Sequence, residues 1–555
     1  MTADPELPSR AARLARAAGR HRVFLVALLG GLAIRVVVSV AYHPALIYID
    51  SRSYLRMADH PVLNTLRPIG YSLALWPLRQ LEPVSPAPIV VLQHVLGLAL
   101  AVLIYAFLVR RGLRPWGATL ATLPVLLDPL ELVLEHFVLS DFLFAALLVV
   151  ACVLVLWEDR PRVWAVGLAG LVVGASLLVR GAGTFAPVVF VVTLLCLRVG
   201  WVRLVAFAAA FVVPVAAYAV AFHSAHGEYA LSRSGSQFLY ARLATVVNCH
   251  DPQLRLPSYE QVLCPRQPVA QRPSSDYYMW GHKEGPAYHV VVPPGMSGPQ
   301  VFKDFDKRVV RAQPGTVTKM VAGDLLRGFA PTRTHDAPGF PARNWLFDDH
   351  YWMFTYRGVL PGSEPGPASF MKHYRQVLWT PGPLLGALAI VALLATAGLG
   401  RSRRSGDRVA IGLLVGTCLV VLFTGAAVSG PSWRYQLPQL TLLPMAGALA
   451  VAALARGRAG GRPEPAPPLR LLDRAGSTVS NRVPALRPLH ESGLLAVLLA
   501  VVGGLVVALV AGVLGAGSGW FRADTAAGLG AVAGILTAIA LLVARRHAAA
   551  AGGRP

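Results

Sequence analysis

Val23-Phe-Leu-Val-Ala-Leu-Leu-Gly-Gly-Leu-Ala-Ile-Arg35-Val-Val-Val-Ser-Val-Ala-Tyr42 is the stretch on which the fold turns. It is an apolar run of about twenty residues, the length an α-helix needs to cross a hydrocarbon core of about 30 Å. One charge, Arg35, interrupts it, and is expected to face neighbouring helices in a structural role. Arg10, Arg13, Arg16, Arg20 and Arg22 precede the run, and Asp50 stands beyond its end. Arginines collect on cytoplasmic flanks, so the basic tail 1–22 predicts a cytoplasmic N-terminus. No small-residue cleavage site follows, which predicts a retained helix over 23–42 and not a secretory signal.

The rest of the 555 residues extends this pattern. Hydrophobic residues make up 55% and charged residues 14%, and the mean hydropathy is +0.54. A soluble protein cannot cover that much apolar surface. The net charge of +23 does not mark a nucleic-acid binder, because the basic residues fall in short clusters between apolar runs and form no continuous face. Five of the 51 basic residues are lysines. With abundant Ala, Gly, Val and Leu, that bias points to a GC-rich bacterial genome such as an actinobacterium's, and to the bacterial plasma (inner) membrane.

Alternating the sides gives a polytopic all-α membrane protein of about twelve spans. Spans one to seven occupy 23–222, with outer loops at 43–86 and 128–141. A large outer segment, 223–378, holds all five lysines and is expected to form an α/β or mixed domain. Spans eight to ten fill 379–455, with a turn at Arg401-Ser-Arg-Arg404. A Pro- and Arg-rich linker, 456–488, is expected to be disordered. Two further spans, about 492–516 and 526–545 within 489–545, lead to a cytoplasmic tail, 546–555. Cys152, Cys196 and Cys418 lie in apolar runs as small core residues. Cys249 and Cys264 lie in the outer segment, where a disulfide closing a loop of about 16 residues is expected to contribute about 3 kcal/mol.

Ionisable groups at a membrane boundary are expensive to bury and so carry the functional information. The first outer loop reads Tyr48-Ile-Asp50-Ser-Arg52-Ser-Tyr54, then Leu66-Arg67-Pro68-Ile69-Gly70-Tyr71. Its semi-apolar stretch 69–81 is too short to span and is expected to lie along the interface. The second reads Asp128-Pro-Leu-Glu131-Leu-Val-Leu-Glu135-His136, ending at Ser140-Asp141. Glu131 and Glu135 share a helix face, which costs energy unless a cation, substrate or metal compensates. Arg180 interrupts a helical hairpin over 163–198, and Arg434 leads Tyr435 into the tenth span. Guanidinium groups on the outer face suit phosphate binding, and snorkelling anchors are the competing account. Ordinary interfacial charge and solvated loop acids compete for the two acidic loops.

The order Asp50, Tyr54, Arg67-Pro68, then Ser140-Asp141, Gly170-Leu-Val-Val-Gly174 with Leu178-Val-Arg180, and Arg434-Tyr435-Gln-Leu-Pro438 resembles the GT-C membrane glycosyltransferases. Similarity is greatest to the branch of protein O-mannosyltransferases and lipid A aminoarabinose transferases, over roughly 20–455. Phe238-Leu-Tyr240-Ala-Arg242 with Cys249 looks like actinobacterial members. The resemblance implies a GT-C-like fold, a polyprenyl-phosphate-linked sugar donor held among membrane lipids, and an extracytoplasmic glycan, lipid or protein acceptor. It further implies Asp50 as general base, with inversion at the anomeric carbon. Arg67, Arg180 and Arg434 would hold the donor phosphate. Asp141 and Glu135 would orient acceptor or sugar, or hold a divalent ion, and Tyr54, His136 and Tyr435 would contact substrate. No His/Cys ligand spacing demands a metal. An O-antigen-like polymerase or ligase, and a lipid-linked saccharide transporter or flippase, are the alternatives. The first-loop acid disfavours the former and the lack of repeated halves the latter.

Overall fold

The computed structural model describes residues 10–280, 285–333, 342–348, 354–399 and 406–455. The linker 456–488 and the two expected spans beyond it lie outside them. Helix α1 (Arg10–Ala41) leads through strand β1 (Tyr42–His43) to two short helices, α2 (Ile49–Asp59) and α3 (Gly70–Leu81). Then come α4 (Ala87–Arg110), α5 (Pro115–Leu127), α6 (Pro129–His136), α7 (Ser140–Leu156), α8 (Val163–Val179), α9 (Ala186–Cys196) and α10 (Trp201–His226). The polar lobe holds α11 (Ser234–Ala244), α12 (Ser258–Gln261), α13 (Ser275–Trp280), α14 (Gly298–Ala312) and α15 (Pro314–Arg327). Strand β2 (Gly362–Ser363) and α16 (Pro365–Val377) return the chain to α17 (Gly382–Ala397), α18 (Arg408–Thr424) and α19 (Leu437–Ala455).

Helix α5 packs against α1, α4 and α19, and α8 runs along α7 and α10. Their shared core includes Val38, Ile104, Val125, Leu148 and Leu442, all buried. By contrast, Val202, Val205, Val212, Val213 and Val220 of α10 are exposed. A continuous apolar face of that kind is stable against lipid and a liability in water. Cys152 and Cys418 are buried among the core helices, while Cys196 is exposed on α9.

Among the described residues, five helices are long and apolar enough to cross a membrane, or seven if each of two bent pairs is one span. Every apolar run before 456 forms helix, so the difference from the expected count lies in length. Helices α7, α8 and α9 have 17, 17 and 11 residues, and α5–α6 bends by 47° at Asp128-Pro129. Proline there removes an amide donor, and Asp128 Oδ1 instead caps α6 by accepting from Leu130 N–H at 2.9 Å.

The polar lobe departs from the expected α/β or mixed domain. Its described residues are helical and irregular, with two residues of strand. Val301, Phe305 and Val309 of α14 recur every fourth residue and close a separate core with Tyr240, Leu243 and Tyr278. Cys249, which follows α11, and Cys264, which follows α12, are joined with Cα atoms 6.1 Å apart.

The segment after α1 is fixed from both sides. β1 pairs antiparallel with β2, placing Tyr42 opposite Ser363 and His43 opposite Gly362. On the other side, Leu46 N–H donates to His136 O at 3.1 Å and Val138 N–H to Leu46 O at 3.2 Å. Phe354 N–H donates to Ile47 O at 3.1 Å. These bonds hold the start of α2, and with it Asp50, between the α6–α7 junction and the polar lobe.

Candidate active site

Asp50 lies in the first turn of α2, where unpaired amides favour a carboxylate. Ser51 Oγ accepts from Tyr48 N–H at 2.9 Å and secures that turn. Arg67 Nη2 donates to Asp50 Oδ1 at 2.9 Å, and Arg434 Nη1 donates to Oδ2 at 2.8 Å. Two guanidiniums thus share one carboxylate, each taking one oxygen. Burial pushes the Asp50 carboxyl up, but Arg434 and Arg67 outweigh it and hold the group well below the usual carboxylate range.

Aromatic rings carry the two arginines. Arg67 stands 4.9 Å over Tyr54, and Arg434 lies 5.0 Å from the Tyr435 ring and 5.2 Å from that of Trp345. Tyr54 Oη is 2.8 Å from Ser140 Oγ, which ties α2 to the start of α7. Arg180, ending α8, pairs with Asp141 at 2.7 Å and stacks 4.7 Å over Tyr435. Gly70 permits the close approach of α3 to α8, since a Cβ there would meet the Leu178 carbonyl at 2.6 Å.

Asp50, Tyr54, Arg67, Arg180, Arg434 and Tyr435 line one cavity of about 1830 Å³. Six of the nine candidate residues therefore meet, from four separate stretches of sequence. Asp141 sits behind Arg180, with its second oxygen buried and unpartnered. Glu135 and His136 do not join them. Glu135 is fully buried, accepting from Arg35 Nη2 at 2.6 Å and Nε at 2.8 Å, with His94 Nδ1 at 2.8 Å. His136 Nδ1 is 3.0 Å from His94 Nε2, and its other nitrogen meets Tyr42 O. Gly97 makes room for this cluster, because a Cβ there would lie 2.0 Å from Glu135 Oε1. Glu135 and Asp141 each already face an arginine, and no group of three His, Cys, Asp or Glu side chains among the described residues is arranged to hold a metal ion.

The cavity also contains residues that motif reading missed. Asp276 and Trp345 reach it from the polar lobe. Burial raises the Asp276 carboxyl, Arg434 opposes that rise and Asp50 adds to it. Lys303, Lys307 and Arg311 of α14 line it too. Their spacing of four was visible in the sequence, but nothing local told which way that face turns.

No family model matches the sequence, and no curated protein matches it. Among solved structures, the chain is similar to ArnT from Cupriavidus metallidurans bound to undecaprenyl phosphate. That pair shares 15% identity over 74% of this chain and 78% of that one, with a TM-score of 0.33. It is also similar to the archaeal oligosaccharyltransferase AglB from Archaeoglobus fulgidus, in complex with an inhibitory peptide and a dolichol-phosphate. There the identity is 13%, over 85% of this chain and 55% of that one, with a TM-score of 0.36.

Proposed function

We propose that this chain is a membrane glycosyltransferase of the GT-C kind. It moves a sugar from a polyprenyl-phosphate-linked donor to a hydroxyl of an extracytoplasmic acceptor, with inversion. The observation that carries this reading is the Asp50 carboxylate held between Arg67 and Arg434 on the wall of a large cavity.

In the empty site the two arginines make Asp50 a weak proton acceptor. A donor phosphate entering between them draws both guanidiniums onto its own oxygens. The Asp50 carboxylate loses its counter-charges and its proton affinity rises. The acceptor O–H then gives its proton to Asp50 while the oxygen attacks the anomeric carbon from the face opposite the phosphate. The carbon–phosphate oxygen bond breaks, and the electron pair leaves on the polyprenyl phosphate, where Arg67, Arg434 and Arg180 stabilise it. Asp276, raised where Asp50 is lowered, is a second candidate for the proton-accepting role.

The test is transfer by purified protein from a polyprenyl-phosphate sugar to envelope glycans. Asp50→Asn should remain in the membrane and lose transfer by about 10²–10⁴-fold. Full transfer by this variant, with loss in Asp276→Asn, would move the base to Asp276. The transfer of the two arginines from Asp50 to the donor phosphate also predicts that the acid limb of kcat lies at higher pH than that of kcat/KM. Asp50 is held low in the free enzyme and relaxes upward in the complex. Coincident limbs would sink that step.

A further inference from the structure

Helix α14 turns a charged face into the cavity. Lys303, Asp306, Lys307, Val310 and Arg311 all line it, at the spacing of three and four that marks one side of a helix. Val301, Phe305 and Val309 on the other side are buried in the lobe core, so the orientation is fixed by packing. The three cations stand about 6 Å apart along the helix axis, a rail of about 12 Å.

This cationic set differs from the one around Asp50. There, Arg67, Arg180 and Arg434 each have a carboxylate partner. On α14, Lys307 has an exposed contact with Asp304 at 3.3 Å, and Lys303 and Arg311 have no ion-pair partner among the described residues. Between the cations lies Asp306, 4% exposed. Both its carboxylate oxygens are buried without a hydrogen-bond partner, and burial pushes its carboxyl well up. A buried orphan carboxyl is costly unless something binds it.

The surroundings favour a polyhydroxylated ligand. Trp280, 52% exposed, brings an aromatic side chain to the cavity wall. A recess of about 590 Å³ continues from the same place and shares Ser232, Gly235, Ser236 and Lys303 with the main cavity. At about 1830 Å³ the main cavity alone exceeds the ~300–1,000 Å³ that a single small ligand fills. It has room for a second, larger substrate beside a lipid phosphate.

We propose that the α14 face, Lys303, Lys307 and Arg311 around Asp306, binds an anionic glycan acceptor. The cations take its phosphate or carboxylate groups and Asp306 takes a sugar hydroxyl. Lysine suits this use, since a flexible point charge tolerates several anion positions where an arginine fork demands one. The proposal rests on the cavity being a transferase site.

The full chain in lipid nanodiscs is titrated with a labelled phosphorylated maltooligosaccharide, a carboxylated one and the neutral parent, and separately with undecaprenyl phosphate. Wild type should bind at least one charged oligosaccharide about tenfold or more tighter than the neutral one, the equivalent of one charge-assisted contact. The charged ligand preferred distinguishes phosphate from carboxylate. K303Q/K307Q/R311Q should lose that preference and its salt dependence, with undecaprenyl phosphate affinity unchanged. Asp306→Leu should raise the Tm, by removing a buried orphan group, while weakening charged and neutral oligosaccharides alike. Equal binding of charged and neutral probes by wild type overturns the proposal, as does an unaltered triple variant. Parallel loss of undecaprenyl phosphate in the triple variant overturns it too, by giving the face to the donor. Failure of wild type to bind undecaprenyl phosphate, with oligosaccharide preference intact, refutes the transferase reading and with it the acceptor role, and leaves α14 an anionic-glycan binding face only.

Discussion

Of the buried clusters in which arginine meets a carboxylate, the one around Asp50 and the one around Glu135 are built differently. Around Asp50, the acid keeps 15% of its side chain exposed and its arginines stand on aromatic rings at a cavity wall. Around Glu135, the acid has no exposure. There Arg35 spends its remaining donors on the Gly31, Leu126 and Val125 carbonyls at 2.9 Å each. The sealed cluster satisfies its charges internally and has nothing to offer a ligand. The open one leaves Arg67 Nε buried and unpartnered, so a bound anion can still improve it. Incomplete pairing, more than charge itself, separates a site from a joint.

Three substitutions put that contrast at risk. The largest effect is expected for Arg35→Leu, which strands the Glu135 carboxylate in the core. About 3–5 kcal/mol of stability should be lost, read as thermal unfolding in detergent; a variant of wild-type stability would make the sealed cluster dispensable. Arg67→Gln should unfold no earlier than wild type, yet lose about 10²–10³-fold in transfer by giving up one charge-stabilising donor. Matching losses of stability and activity would erase the distinction between the clusters. The smallest effect is expected for Glu131→Met. Both Glu131 oxygens are buried without a partner, so an apolar side chain there should be neutral or stabilising by about 1 kcal/mol. A large destabilisation would show that Glu131 belongs to the Arg35 network.

The helical architecture was legible wherever an apolar run was long, because hydropathy and length decide helix formation in lipid without reference to partners. The gathering of residues around Asp50 was legible through order, with Asp50, Arg67, Arg180 and Arg434 read as a candidate set. What sequence could not supply was pairing across distance. Glu135 looked like Asp141, an acid near a helix start, yet Arg35 lies 100 positions away from it and determines its role. The acidic stretch 128–141 read as a polar outer loop, whereas the structure buries it as a helical turn among charges from elsewhere. The α14 face stayed hidden for the same reason. Its amphipathic spacing is local, but the cavity it faces is assembled from distant stretches.

The clamp on Asp50 also has a consequence in time. Arg434 lies 384 positions beyond Asp50. At ribosomal speeds of about 5–20 residues per second, it emerges roughly 20 to 80 s later. Through that interval the nascent chain carries Asp50 with Arg67 alone, and β1 waits for β2. The last cation to be synthesised is the one that completes the pocket.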